Sequence, residues 1–101
     1  MAKLADYFIS AVRYDDDHEK IIKVRRHKNI NNSVGEGSEC TRSSVVSDLQ
    51  SGITYSTITK NSNGNWDIGA DIHIVYVNSV AYIRTDRNNT PKDNLENLPE
   101  F

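Results

Sequence analysis

One cysteine, two prolines and five glycines among 101 residues leave little of the chemistry that staples or stiffens a chain. A lone Cys40 cannot form an intramolecular disulfide, so the fold has to rest on packing and hydrogen bonds. No apolar run approaches the roughly 20 residues a membrane-spanning helix needs. Residues 1–6 lack the long apolar stretch of a secretory signal. These absences point to a cytoplasmic chain with no membrane partner. Charge of one sign is lacking as well: twelve Lys+Arg against fourteen Asp+Glu give a net charge of -2. Residues 1–50 hold eight basic and eight acidic groups and residues 51–101 four and six, so the halves carry 0 and -2. Proteins that hold nucleic acid through their global field are usually basic. Nucleic acid is therefore disfavoured unless a local cluster supplies the contact. Only 37% of residues are hydrophobic. A domain this size buries roughly 60–65% of its unfolded surface. The core has to be economical, one sheet face against one helix.

What is there reads as a sequence of strands around a single helix. Residues 6–14 carry Tyr7, Phe8, Ile9, Val12 and Tyr14, types that suit a pleated surface. Asp15-Asp16-Asp17-His18 breaks the strand, because short polar side chains favour turns. Residues 20–28 form a second strand, Ile22 and Val24 alternating against Lys23 and Arg25, and the two pair as an antiparallel hairpin. Residues 29–39 read as a loop, rich in Asn and Gly. Thr41 is a good N-cap, Val45, Val46 and Leu49 follow at helical spacing, and Gly52 ends the helix. A Thr- and Ile-rich strand over 53–60, an Asn63-Gly64 turn, a short piece around Trp66 and Ile68, and a break at Gly69 come next.

The clearest local signal is a hairpin over 70–85. Asn78-Ser79 is a two-residue connection, which fixes the register. Val77 then faces Val80, Val75 faces Tyr82 and His73 faces Arg84, while Tyr76 meets Ala81 and Ile74 meets Ile83. Ile72, Ile74, Tyr76, Ala81 and Ile83 are expected to form the core face. Residues 86–101 read as a polar tail anchored by Leu95, Leu98 and Phe101. The expected fold is α+β: an antiparallel sheet of about five strands in ββαβββ order with one packed helix, all in one domain, 1–101, on which the tail 86–101 docks.

Several stretches carry a family resemblance: Gly69-Ala70-Asp71-Ile72-His73-Ile74, Tyr82-Ile83-Arg84-Thr85, Asp93-Asn94-Leu95, Leu98-Pro99 and Phe101. Val12-Arg13-Tyr14 and the helix ending in Ser51-Gly52 fit too. Nearly the whole chain is similar to a family of small bacterial proteins, domain of unknown function family 3892. The resemblance implies a compact bacterial protein and no particular activity. Ser79 departs from it, since similar sequences often have Gly in that turn.

The residues themselves offer few catalytic or metal-binding patterns. His18, His27, His73 and Cys40 have no CxxC, HxxxH or HExxH spacing. Asp15-Asp16-Asp17 lacks the alternating ligands and later glutamate of a calcium loop. Cys40 precedes a helix N-terminus, but a nucleophile also needs a base beside it. Val34-Gly35-Glu36-Gly37-Ser38 lacks a P-loop lysine, and there is no nucleophile elbow. No cofactor and no metal is expected.

Two constellations carry the partner-binding signal. The basic strand holds Lys20, Lys23, Arg25, Arg26 and Lys28, with Tyr7 and Tyr14 on its neighbour as stacking platforms. Alternation sends Arg25 and His27 to one face and Arg26 and Lys28 to the other, so its plainer role is a charged edge that resists aggregation. The second constellation is His73, Arg84, Thr85, Asp86, Asn88, Asn89, Asp93 and Asn94, at the end of the stiff hairpin. Arg84 offers a planar bidentate donor, and His73 lies opposite.

The leading expectation is a non-catalytic binding module for a protein or small ligand. One alternative is a nucleic-acid-binding domain using strand 20–28. Another is a small ligand-binding protein or enzyme centred on His73, Arg84 and Asp86. Nothing in the sequence requires an oligomer. Denaturation of Arg84→Ala separates fastener from site: a fastener loses stability and keeps binding, and a site residue does the reverse.

Overall fold

The computed structural model describes residues 5–17, 20–31, 33–85, 95 and 98–101. Its strands are β1 (Tyr7–Tyr14), β2 (Ile21–Ile30), β3 (Ser33–Thr41), β4 (Tyr55–Lys60), β5 (Trp66–Asp71), β6 (His73–Val77) and β7 (Val80–Arg84). One helix, α1 (Arg42–Gln50), stands between β3 and β4. The fold is of the α+β kind, with a five-stranded sheet ordered β3-β2-β1-β4-β5 and a separate two-stranded sheet, β6-β7. No helix among the described residues is long and apolar enough to cross a membrane.

The main sheet is mixed, which corrects the antiparallel expectation. β1 and β4 run parallel, Tyr7 opposite Tyr55 and Ile9 opposite Thr57. Parallel neighbours need a long crossover. Here β2, β3 and α1 form it, and they return the chain to the free edge of β1. The order is also corrected, because residues 33–41 form a strand where a loop is expected. β3 has no fully buried side chain, so it gives no hydrophobic alternation to read. What holds it is its backbone ladder with β2, from Lys23 opposite Thr41 to His27 opposite Gly37. A Cβ on Gly37 would lie 2.8 Å from His27 Cε1, so this glycine lets the histidine ring lie against the strand.

Register skips decide which side chains turn inward. The β1–β2 ladder passes from Ile9 opposite Arg26 to Ala11 opposite Arg25, leaving Ser10 as an extra residue. Ile9 and Val12 thereby share one face of β1 although three positions apart. A second skip, between Arg13 and Tyr14, buries Ile21 and leaves Ile22 46% exposed, which corrects the expected alternation of β2 at Ile22, while Val24 is buried and Lys23 and Arg25 are exposed as expected. β5 continues through Gly69, and its ladder with β4 skips a residue there, from Ile68 opposite Ile58 to Asp71 opposite Ser56, the bulge that a glycine in a strand suggests.

The larger core lies on the helix face of the sheet. Ile9, Val12, Ile21, Val24 and Tyr55 meet Val45 of α1, Ile72 and Ile83 of the β6–β7 region, and Leu95 and Leu98. Thr41 caps α1 as expected, its Oγ1 accepting from the Ser44 N–H at 3.3 Å, and Gly52 takes a positive φ of 89°. On the outer face a smaller cluster joins Ala5, Phe8 and Ile58, with Val34 and Trp66 against it.

The hairpin pairs in the expected register, from His73 opposite Arg84 to Val77 opposite Val80. Asn78 and Ser79 both adopt positive φ, 51° and 68°, as a tight primed turn requires. The expected facing is corrected at Tyr76, which is 57% exposed while Val75 and Tyr82 are buried. The hairpin forms its own sheet over the helix face, so only its base reaches the core. Tyr76, nearer the tip, hydrogen-bonds Gln50 of α1 instead.

Beyond the end of β4, the edge of β1 is occupied by residues 99–101. Val12 N–H donates to Pro99 O at 2.9 Å and Phe101 N–H donates to Val12 O at 3.1 Å. Ile83→Ala should cost about 2–5 kcal/mol in urea denaturation, because it empties the fully buried contact between hairpin and sheet. Tyr76→Ala should stay within about 0.5 kcal/mol.

Candidate functional site

Two chain corners face each other where α1 meets the hairpin. At the first, α1 ends, Gly52 N–H donates to Leu49 O, Ile53 N–H donates to Asp48 O, and the chain turns into β4. At the second, β5 ends at Asp71 and Ile72 N–H donates to Tyr55 O at 2.9 Å before β6 begins. Between them lies a cleft of about 420 Å³, lined by Leu49 and residues 52–55 on one side and residues 71–74 on the other. This volume falls within the usual range of small-molecule sites, roughly 300–1,000 Å³.

The walls are apolar at Leu49, Ile53, Ile72 and Ile74 and polar at Thr54, Asp71 and His73. Thr54 is engaged, its N–H and hydroxyl both donating to Asp6 Oδ2. Asp71 Oδ1 accepts from Ser56 Oγ at 2.9 Å. The half-buried His73 ring has no hydrogen-bond partner among the described residues. It is the polar group of the cleft with donor and acceptor capacity to spare.

Tyr55 is held by a polar network at the edge of the core. Its hydroxyl donates to Asp48 Oδ2 at 2.6 Å and accepts from Arg26 Nη1 at 3.0 Å. Arg26 also pairs with Asp48 at 3.3 Å. Tyr7 stacks on Tyr55 with centroids 5.2 Å apart, and the Arg26 guanidinium lies 4.4 Å from the Tyr7 centroid. Burial, then the hydrogen bond to the Asp48 carboxylate, pushes the Tyr55 phenol well above its ordinary range against the opposing pull of Arg26.

The five cations of the basic strand go to different places. Arg26 is in the network just described. Arg25 lies on the outer face, over the Phe101 ring at 5.1 Å. Lys23 is exposed on that face, directly opposite Arg13. Lys20 reaches the Tyr82 ring at 5.7 Å. Lys28 lines a second, smaller cleft with Asp6, Tyr7, Asn29 and Ile53. They do not form one track, and Tyr7 is already enclosed by Tyr55 and Arg26. Of the hairpin constellation, His73 lines the larger cleft, Arg84 is 4% exposed and Thr85 is half-buried. Asp86, Asn88, Asn89, Asp93 and Asn94 lie outside the described residues, as does His18. Cys40 packs against the core from β3.

A model of the DUF3892 family, described as protein of unknown function, matches residues 8–99. The chain belongs to the DUF3892 family. Searches of curated proteins and of solved structures each found no match. In this DUF3892 chain the resemblance stretches from 69 to 85 form one wall of the cleft and the hairpin beside it.

Sequence reasoning placed His73 but missed the opposite wall, because Leu49, Ile53 and Thr54 meet it only through tertiary packing. It also missed a buried pair, Ser10 and His27, whose Oγ and Nε2 are 2.7 Å apart. His27 Nδ1 lies 3.0 Å from the Gly35 carbonyl. A carbonyl only accepts, so Nδ1 carries a proton, and in the neutral ring Nε2 then accepts from the serine hydroxyl. This is the hydrogen-bond order of an activated serine. Both residues are under 10% exposed, at 7% and 6%, and neither lines the two clefts described. Their evident work is mutual satisfaction of buried polar groups.

Tyr55 gives a pH prediction. A folded-state pKa above the unfolded one stabilises fully below the unfolded value, here 10.0, and less as pH rises beyond it. Stability should therefore fall above pH 10, and Tyr55→Phe should flatten that fall. In an ultraviolet titration, one of the five tyrosines should ionise only as the protein unfolds.

Proposed function

We propose that this protein is a non-catalytic binding module of the bacterial cytoplasm, and that its ligand site is the cleft between the end of α1 and the β5–β6 corner. The observation that carries the reading is the His73 ring, half-buried in a cleft of about 420 Å³ and without a hydrogen-bond partner among the described residues. The apolar walls suit a small molecule with a compact hydrophobic body. His73, the second oxygen of Asp71 and the backbone at the end of α1 suit a polar head that donates hydrogen bonds. Tyr55 is held by Asp48, Arg26 and Tyr7, so the floor is preorganised and little ordering is needed on binding.

Arg84 supports this site from behind. It sits opposite His73 in the hairpin and is buried, so it fixes the strand that presents the imidazole. Asp86, Asn88, Asn89, Asp93 and Asn94 follow that strand in sequence and belong to the same proposal.

A fragment library of small amines and heteroaromatics, screened by two-dimensional amide NMR, tests the proposal. Binding fragments should shift residues 52–55 and 71–74 together. His73→Ala should weaken them at least about tenfold, roughly one charge-assisted hydrogen bond, while changing stability by no more than about 0.5 kcal/mol. Fragments that gather elsewhere, or bind His73→Ala equally well, would overturn it.

A further inference from the structure

The outer face of the main sheet carries a group of exposed cations. Arg13 and Lys23 are direct cross-strand neighbours, and Arg25 lies on the same face of β2. Like charges placed opposite each other in a ladder are unfavourable. Arg13, Lys23 and Arg25 are all exposed, and neither Lys23 nor Arg25 makes an ion pair among the described residues. Glu39 stands opposite Arg25 on β3 and does not reach it as an ion pair.

Aromatic rings are interleaved with these charges. The Phe101 ring lies 5.1 Å from the Arg13 guanidinium and 5.1 Å from that of Arg25, and Arg13 Nε donates to the Phe101 carbonyl at 2.6 Å. The ring braces both guanidiniums side by side. Farther along the face, Lys60 Nζ lies 5.1 Å from the Trp66 ring, which packs at 5.4 Å against His27. His27 and Arg25 are two residues apart on one side of β2. The cations and rings therefore form a strip of two exposed groups, Lys60 with Trp66 and Arg25 with Phe101, Arg13 and Lys23, linked beneath the surface by the buried His27.

We propose that this strip binds single-stranded nucleic acid. Ammonium and guanidinium groups meet phosphates, while the indole and the guanidinium planes offer flat surfaces for unpaired bases. An acidic peptide would satisfy the charge and leave the rings without a role. Added phosphates also relieve the Arg13–Lys23 repulsion. The cluster is local, which is why a chain of net charge -2 can carry it. It draws on five separate segments, and of its cations only Lys23 and Arg25 come from the basic strand.

The test uses the full chain and a labelled 12-nucleotide oligothymidylate, read by anisotropy and by the fluorescence of Trp66, the one tryptophan. Binding at 20 mM NaCl should quench Trp66. With about three phosphates neutralised, affinity should fall roughly 100-fold by 200 mM NaCl. Lys23→Gln combined with Arg25→Gln should weaken binding at least about tenfold and flatten the salt dependence, and both are exposed positions that leave the fold intact. Lys28→Gln, off the strip, should change nothing. No binding at 20 mM NaCl, binding without quenching, or undiminished binding by the double variant would each overturn the proposal. A duplex or a polyglutamate peptide binding as tightly as the oligonucleotide would also overturn it, in favour of shape readout or an acidic protein.

Discussion

Every other element of the main sheet depends on how β1 is paired. Its first half is flanked by β2 on one edge and β4 on the other, and its second half by β2 and residues 99–101. Both faces are also used, Ile9 and Val12 toward the helix side and Phe8 toward the smaller cluster. The extra residue at Ser10 makes this arrangement possible. Without it, Ile9 and Val12 would point to opposite faces, and one would leave the core.

The same irregularity separates the two faces chemically. On the helix side, Arg26 is held by Asp48 and Tyr55 beside a dry core. On the other side, Arg13 and Arg25 rest on an aromatic ring, and Lys23 makes no ion pair among the described residues. No described buried side-chain polar atom lacks a partner. The unpaired hydrogen-bonding capacity sits instead at two surfaces, the imidazole in the cleft and the cations of the outer face.

Much of this was legible locally. The hairpin register followed from two residues, Asn78 and Ser79, because a tight turn leaves no freedom in pairing. α1 followed from Thr41, the spacing of Val45, Val46 and Leu49, and Gly52. β3 was not legible, because its place depends on the exposed edge of β2 and on two glycines rather than on burial of its own side chains. Tyr76 was misplaced for a related reason: alternation says which residues share a face, not how far along a strand the cover extends. The parallel β1–β4 pairing, the opposite wall of the cleft and the strip from Lys60 to Lys23 all join segments distant in sequence. Periodicity within any one segment carries no trace of them.

The pairing of β1 with residues 99–101 has a consequence for how the chain is made. Arg13 and Phe101 are 88 positions apart, and β1 meets β4 across 48. A ribosome releases the central strand well before its second-half neighbour, so that edge stays open while the intervening chain is made. β2 and β3 can meander onto β1 meanwhile, since their contacts are local. Pairing residues 99–101 with β1 is a long-range closure, slow by its loop entropy. Until then the exposed edge is the part of the nascent chain that other strands can capture.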